Sequence, residues 1–472
     1  MDGQTQTATI APLADCAIAS EDLLPFLRPE GDFADRRFAR IGFMLFLLAN
    51  MALIVRPADL FPVLLEYPIY EPIMIACLMV SVPRLMHQFW SRRIAARPIT
   101  QLIFGMCCMI VISHLARGSI WDARTSGAEF FKIFLYYMAL LSWVDSPSRM
   151  RKFLLWLCLC IEILIVFALL QYVGTINLPA LSAIKQSAED IDSPDGSGVI
   201  LRLCGTGIFH DPNDLCLMLV VAMAICFYFS GDRKYGFLRF GLLIPVGVFG
   251  YAMTLTYSRG GLISLIAAIV AMLIARHGIR RAIVLGALLL PIMMVVFAGR
   301  QTHVDLDNPE DTFQTRLDCW SDALTLFKES PVFGCGTGQQ CELRGHVAHN
   351  SFIQSYAEMG FVGGACFFGA FALAIKMLYR RTNAGTDSGF ARLRPYVLGT
   401  TAGYATGLLT LSRAYSVPTY LVLGIAATYL NLTPHEAFSI PQINGRLIRR
   451  LATASVLFII ATYLFVRTMT TV

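Results

Sequence analysis

The chain has 472 residues; 56% are hydrophobic and only 15% charged, the formal net charge is +6 and the mean hydropathy is +0.60. Soluble domains carry about 25% charged residues. A soluble protein of this length would need roughly three such domains, more surface than 38 Lys+Arg and 32 Asp+Glu can cover. Disorder, collagen and small disulfide-rich scaffolds are excluded by the same figures, leaving an all-α polytopic membrane protein.

Residues 1–37 read as a polar cytoplasmic tail. They lack a basic stretch leading at once into an apolar core and a small-residue cleavage site, so the first span is expected to be an uncleaved anchor. Thirteen apolar runs follow, at 38–55, 67–83, 99–116, 130–144, 153–173, 213–230, 240–257, 261–275, 282–298, 351–378, 395–411, 415–431 and 451–466. At about 20 residues per span, about 260 residues would lie in lipid.

Every second connection is basic. Arg36, Arg37 and Arg40 precede the first run; Arg84, Arg92, Arg93 and Arg97 follow the second; Arg149, Arg151 and Lys152 follow the fourth. The pattern continues with Arg233, Lys234 and Arg239, with Arg276, Arg280 and Arg281, with Lys376 to Arg394, and with Arg446, Arg449 and Arg450. Dispersed in this way, the basic residues read as cytoplasmic loops rather than as a nucleic-acid surface. The N-terminus is then inside, and thirteen spans would place the C-terminus outside. The domain plan is the tail, nine helices over 38–298 with an outer loop at 174–212, a large periplasmic loop at 299–350 carrying a short helix, and C-terminal helices over 351–472. Long loops between membrane helices are uncommon unless they work, so chemistry is expected at the outer face.

In the large loop, Leu317, Trp320, Leu324 and Phe327 recur at helical spacing from Arg316 onward, until Ser330-Pro331. This helix either lies on the membrane surface and gates substrate or packs on the bundle. Gly334-Cys335-Gly336-Thr337-Gly338 follows. Alternate glycines can form a nest for an anion, but no Lys-Ser/Thr follows, and a tight turn is the simpler reading. His349-Asn350-Ser351 opens the next helix, where Asn350 or Ser351 can cap. His349 could take a proton from a sugar hydroxyl or merely satisfy loop carbonyls. Glu358, about two turns on, is expected to face the same cleft.

Arg202 lies in Leu-Arg-Leu-Cys-Gly-Thr-Gly-Ile-Phe-His-Asp-Pro-Asn-Asp (201–214), where Asp211 or Asn213 can cap a helix. Arg259 lies in Thr-Tyr-Ser-Arg-Gly-Gly (256–261), a very short outer turn. Outward arginines run against the positive-inside trend. They could grip a lipid diphosphate by bidentate hydrogen bonds or snorkel to headgroups. Arg316 and Arg413 carry the same two readings. Within spans, Glu71, Glu162 and Lys132 are notable but receive no catalytic role. The thirteen cysteines form no paired CxxC motif, so no metal site is read and no cofactor is expected. Cys335 and Cys341 are candidates for a disulfide on the oxidising side.

Taken in order, these motifs resemble the O-antigen ligase family, which also holds O-antigen and exopolysaccharide polymerases and some protein O-oligosaccharyltransferases. The resemblance spans about 200–375. It rests on Arg202…Gly207…Phe209…Asp211-Pro212-Asn213, on Ser258-Arg259-Gly260-Gly261, on Arg316…Trp320…Pro331…Gly334…Gly336, and on His349-Asn350 followed by Gly360 and Gly363. The first 200 residues match in hydropathy alone, and a span beyond twelve departs from the common ligase topology. The resemblance implies a GT-C-like, metal-independent inverting glycosyltransferase of the cell inner membrane. Its donor would be a polyprenyl-diphosphate-linked glycan, and its acceptor a glycan, lipid A-core or protein. Arg202 and Arg259 would hold the diphosphate and His349 would act on the acceptor, with Arg316, Arg413 and Glu358 as substrate-binding candidates. Polymerase and ligase share that donor, and these residues do not read the acceptor. The rival from another class is a flippase for lipid-linked oligosaccharide, which would favour broken helices and charges at mid-membrane. A non-enzymatic envelope scaffold would leave the Arg and His positions without a purpose.

Overall fold

The computed structural model describes residues 36–64, 66–90, 97–187, 199–297, 312–380, 388–433 and 441–470. Most of the expected N-terminal tail, and parts of both long loops, fall outside the described residues. The principal helices are α1 (Arg36–Ile54), α2 (Tyr70–Trp90), α3 (Pro98–Leu115), α4 (Ile120–Trp143), α5 (Pro147–Tyr172), α6 (Pro212–Ser230), α7 (Leu243–Leu255) and α8 (Arg259–His277). They continue with α9 (Ile279–Val296), α10 (Thr312–Glu329), α11 (Gln339–Arg344), α12 (Ser351–Arg380), α13 (Arg394–Gly407), α14 (Val417–Leu432) and α15 (Gly445–Thr470). Each of the thirteen apolar runs falls on one of these helices. Seven of them (α3, α5, α6, α8, α9, α12 and α15) are long and apolar enough to cross a membrane, and α1, α7 and α14 are shorter apolar helices. The chain is an all-α polytopic membrane protein.

Local chemistry sets the helix starts. Ser119, Ser146, Asp211 and Ser258 each accept a backbone N–H of the first turn through their side chains. Proline in the first turn opens α3, α5, α6 and α14. Capping by Ser119 starts α4 ten residues before the apolar run at 130. The early turns are amphipathic: Ala123, Gly127 and Phe130 face inward, while Arg124, Glu129 and Lys132 stay exposed. The charges that concealed this extension from hydropathy lie on its outer face.

At the core is α6, where from Pro212 to Phe229 every residue except Asn213 and Phe227 is buried. Of α9 only Ala282 is buried, so its Ile, Val and Leu side chains form the lipid-facing rim of an apolar helix. Small residues bring α8 and α13 together. Gly403 accepts a hydrogen bond from Ser264 Oγ (2.8 Å), and a Cβ there would lie 2.7 Å from that of Ala268.

The two ends of the bundle differ. At one end Asp145 receives Arg84 (3.0 Å) and Arg149 (2.8 Å), and Arg149 also donates to the Ala39 carbonyl (3.0 Å). At the same end Arg392 donates to the Gly231 carbonyl (2.6 Å) and Arg394 to the Ala275 carbonyl (3.1 Å). The basic connections therefore tie neighbouring helix ends together. At the other end lie the connections before α6, α8, α12 and α14. There α10 packs on α12 and α15 rather than standing off the bundle, with Leu317, Ala323, Leu324 and Leu326 buried and the Trp320 ring 6.2 Å from Phe465. The loop before α6 also forms a two-stranded hairpin that hydropathy did not indicate: β1 (Ile184–Ser187) pairs antiparallel with β2 (Val199–Arg202).

Gly403→Leu is expected to overpack the α8–α13 contact and to destabilise by about 1–3 kcal/mol, whereas Ile283→Leu on the exposed face of α9 is near neutral. Thermal unfolding in detergent measures both; identical melting of wild type and Gly403→Leu would remove this packing.

Candidate active site

Six chain segments converge at the loop-bearing end, and Asn213 at the head of α6 joins two of the others. Its Oδ1 accepts from Arg202 Nη2 (3.1 Å) and from Ser258 Oγ (2.6 Å). Arg202, the last residue of β2, also donates from Nε to the Thr256 carbonyl (2.8 Å) and from Nη1 to Gln186 Oε1 (3.2 Å). Leu203 N–H binds the Leu255 carbonyl (2.9 Å), fixing the end of the hairpin on the end of α7. Three acceptors thus hold the guanidinium plane of Arg202.

Arg259 is the first residue of α8. Gly260 and Gly261 follow because the helix start is wedged tightly: a Cβ on Gly260 would collide with Thr410, and one on Gly261 would lie 2.6 Å from Cys216 Sγ. The helix N-terminus adds its own partial positive charge there. Arg316, in the first turns of α10, is the third cation. Burial depresses its pKa; Arg202 and Arg259 push the same way and Asp211 opposes them. Burial likewise depresses Arg202, again against Asp211. Three guanidinium groups therefore share one end of the bundle with the carboxylate of Asp211.

Asp211 is committed elsewhere as well. Its Oδ1 caps α6 by accepting Asn213 N–H (2.8 Å), and Oδ2 lies 3.4 Å from Arg413 Nη2. Arg413 makes its stronger pair with Asp214 (2.6 Å), whose side chain is only 8% exposed. Sequence reasoning grouped Arg413 with the substrate-facing cations. The structure instead engages its guanidinium with two carboxylates, closing the 408–416 connection onto α6.

His349 precedes α12 with φ 49°, a left-handed conformation uncommon outside glycine. Asn350 provides the cap, its Oδ1 accepting from Phe352 and Ile353 N–H (3.0 and 3.2 Å). Burial lowers the pKa of His349 and Arg316 lowers it further, partly offset by Asp211. Both effects favour the neutral imidazole, whose ring nitrogen can accept a proton.

The glycine loop and Glu358 require a correction. Glu358 does not face the cleft; it is fully buried. Gln354 Nε2 lies 3.3 Å from both of its carboxylate oxygens, and the backbone N–H groups of Gly338 and Gln340 hydrogen-bond to it. The backbone donors after Gly336 are thus taken up by a side-chain carboxyl of the protein itself. Nearby, α12 breaks at Gly360, φ 66° and ψ −171°. The loop enters the break: Cys335 N–H binds the Ala357 carbonyl (2.8 Å), Gly336 N–H that of Glu358 (2.9 Å), and Phe361 N–H that of Pro331 (2.8 Å). Side chains on Gly334 or Gly360 would collide with the facing backbone. Cys335 is buried, Cys341 is exposed, and both are free thiols.

Sequence reasoning missed Asp211, Asn213 and Ser258 as site residues, reading the first two only as caps. Their signal was the cluster of polar groups in Asp-Pro-Asn-Asp at the head of an otherwise apolar helix.

Residues 244–368 match the family model described as O-antigen ligase. That stretch is similar to the O-antigen ligases. The similarity supports a role in O-antigen or polysaccharide processing and suggests a glycosyltransferase-like enzyme. The matched stretch runs from α7 into α12 and includes Arg259, Arg316 and His349, with the buried Glu358; Arg202, Asp211 and Arg413 lie outside the matched residues. No curated protein matches the chain.

Arg413→Ala leaves Asp214 without its partner and is expected to cost on the order of 2 kcal/mol, less than for a fully buried pair because Arg413 is 36% exposed. Adding Asp214→Asn should recover most of that loss, as read from melting temperatures of the two variants; equal melting of the single and double variants would contradict the pairing.

Proposed function

We propose that this protein transfers a glycan from a polyprenyl-diphosphate carrier to a hydroxyl of an acceptor glycan at the periplasmic face of the inner membrane. The observation that carries the proposal is the gathering of Arg202, Arg259 and Arg316 at one end of the bundle, with Asp211 the carboxylate neighbour of Arg202 and Arg316, while Arg413 makes its closest pair with Asp214. Such a site carries an excess of positive charge, and fixed donors cost no reorganisation when a leaving group becomes charged. A diphosphate presents planar sets of oxygens that match the guanidinium fork. The basic connections at the opposite end of the bundle support a cytoplasmic position for that end and hence a periplasmic one for the site.

In the reaction, the acceptor hydroxyl oxygen attacks the anomeric carbon from the face opposite the diphosphate. The new glycosidic bond forms as the bond from that carbon to the phosphate oxygen breaks, and configuration inverts. The hydroxyl proton passes to the neutral ring of His349, and the bonding pair leaves with the diphosphate, where the arginines hold the charge. General base assistance contributes about 10²–10⁴ in rate. Guanidinium groups supply the charge stabilisation, so the mechanism needs no metal ion. The clustering of cations at one end of the bundle, rather than midway along it, favours transfer over transport by a flippase.

Arg202→Lys and Arg259→Lys should each retain less than about 10% of transfer, since an ammonium cannot replace two parallel hydrogen bonds. Turnover of purified lipid-linked donor by inserted, folded protein measures this, and wild-type rates in both variants would exclude the diphosphate clamp.

The pH profile carries a further expectation. A base with a depressed pKa stays deprotonated to lower pH, so the acidic limb of kcat/KM should lie below about 6.5, the ordinary histidine value. Arg316→Gln removes a neighbouring positive charge, raises the His349 pKa, and should move that limb to higher pH. A limb that stays in place in Arg316→Gln, or that persists in His349→Ala, counts against the base.

A further inference from the structure

The last helix, α15, has no part in the chemistry described so far. It lies beyond the matched residues 244–368. Along it only Leu447, Ser455 and Val466 are buried, so it runs down the edge of the bundle. Where it does touch the protein, it touches the mounts of two site residues.

Its middle rests on α12. The Phe458 ring lies 5.9 Å from Phe352 and 6.2 Å from Tyr356, both in the limb before the break at Gly360, and 5.2 Å from Phe368 in the limb after it. Phe458 therefore spans the break, and Phe352 is in the first turn of the helix that His349 precedes.

Its last turns support α10. The Trp320 ring is 6.2 Å from Phe465, and Lys328 Nζ lies 4.1 Å from the centre of the Tyr463 ring, a cation–π distance. Val466 joins Leu317, Leu324, Ala348 and Ile353 in one small core. Ala348 adjoins His349, and Trp320 follows Arg316 by one turn on the same stripe of α10. From Trp320 to Lys328 is about 12 Å of helix, and from Tyr463 to Phe465 about 3 Å. The short end of α15 thus serves a long stretch of α10, which lies across it. Apolar burial alone drives helices together weakly in a bilayer, so packing contacts of this kind decide where a helix stands.

We propose that α15 is a positioning helix for the site: Tyr463, Phe465 and Val466 fix the tilt of α10 and so the separation of Arg316 from the His349 ring. The effect on transfer rests on the proposed reaction; the placement of Arg316 does not.

The His349 pKa reports that separation. After burial, Arg316 is the strongest influence on it and lowers it; Arg413 and His346 act in the same direction and Asp211 opposes them. If α10 swings away, the pKa rises.

The test uses the full-length protein in lipid nanodiscs. Hydrogen exchange at the imidazole C2 position, followed by mass spectrometry across pH, gives the His349 pKa without any need for turnover. Phe465→Ala combined with Val466→Ala should raise it, in the direction of Arg316→Gln but by less. Added to Arg316→Gln, the same pair should raise it no further, because the charge it displaces is gone. Leu457→Ala, on the 61% exposed side chain of a lipid-facing position in the same helix, should leave it unchanged. Melting temperatures confirm that each variant folds. An unchanged or lowered pKa in the Phe465/Val466 pair, an equal rise in the Arg316→Gln background, or a rise in Leu457→Ala would each overturn the positioning role. Placement is checked separately: p-benzoylphenylalanine in place of Phe465 should photocrosslink to residues 312–329, and crosslinks that omit that stretch would overturn the proposal at its first step. In transfer, the Phe465/Val466 pair should lose about tenfold in kcat, within the cost of misplacing a catalytic group by about 1 Å. If the wild type transfers no glycan, the proposed reaction fails, while the pKa and the crosslink still decide what α15 does.

Discussion

One carboxylate organises the loop-bearing end of this bundle. Asp211 caps α6 through one oxygen and meets Arg413 through the other, and its charge is felt by Arg202, Arg316 and His349. Without it, guanidinium groups gathered from separate segments would repel one another in a partly desolvated setting, where like charges interact more strongly than in water. Asn213, two residues on, turns the same helix start into a mechanical joint by accepting from both Arg202 and Ser258. The head of α6 is at once a helix cap, a charge balance and a clamp, and it belongs to the most deeply enclosed helix of the protein.

A second constraint is the broken helix α12. Irregular backbone within a membrane protein is tolerated where neighbouring groups satisfy its hydrogen bonds. Here the 331–336 loop takes up carbonyls freed before Gly360 and offers one to Phe361 after it. The buried carboxylate of Glu358 fastens the next part of the same loop through Gly338 and Gln340. The short first limb of α12, with His349 at its mouth, is therefore held by the loop as well as by its own helix.

Much of the fold was legible in the sequence because lipid imposes a simple code: about 20 apolar residues, then a basic or polar break. That code failed where a helix was amphipathic, as in the charged first turns of α4, and it carried no signal for the hairpin that presents Arg202. The cations and His349 stood out as polar groups in glycine-rich turns. Their convergence could not be read, since residues 202, 259, 316 and 349 meet only through packing of helices distant in sequence. Glu358 shows the limit of helical periodicity. Its register placed it near the cleft, but the break at Gly360 and the glycine loop that fills it enclose the carboxylate. Arg413 shows a related limit, because pairing with Asp214 is a contact across 199 residues.

That last contact bears on biogenesis. While the ribosome is still synthesising the later helices, the head of α6 carries Asp211 and Asp214 without the arginine that neutralises them, and the 408–416 connection that delivers it is almost the last to be made. The carboxylates at the head of α6 therefore gain their partner from that connection only late in synthesis, and the α6 start reaches its final paired state after most of the bundle has been made.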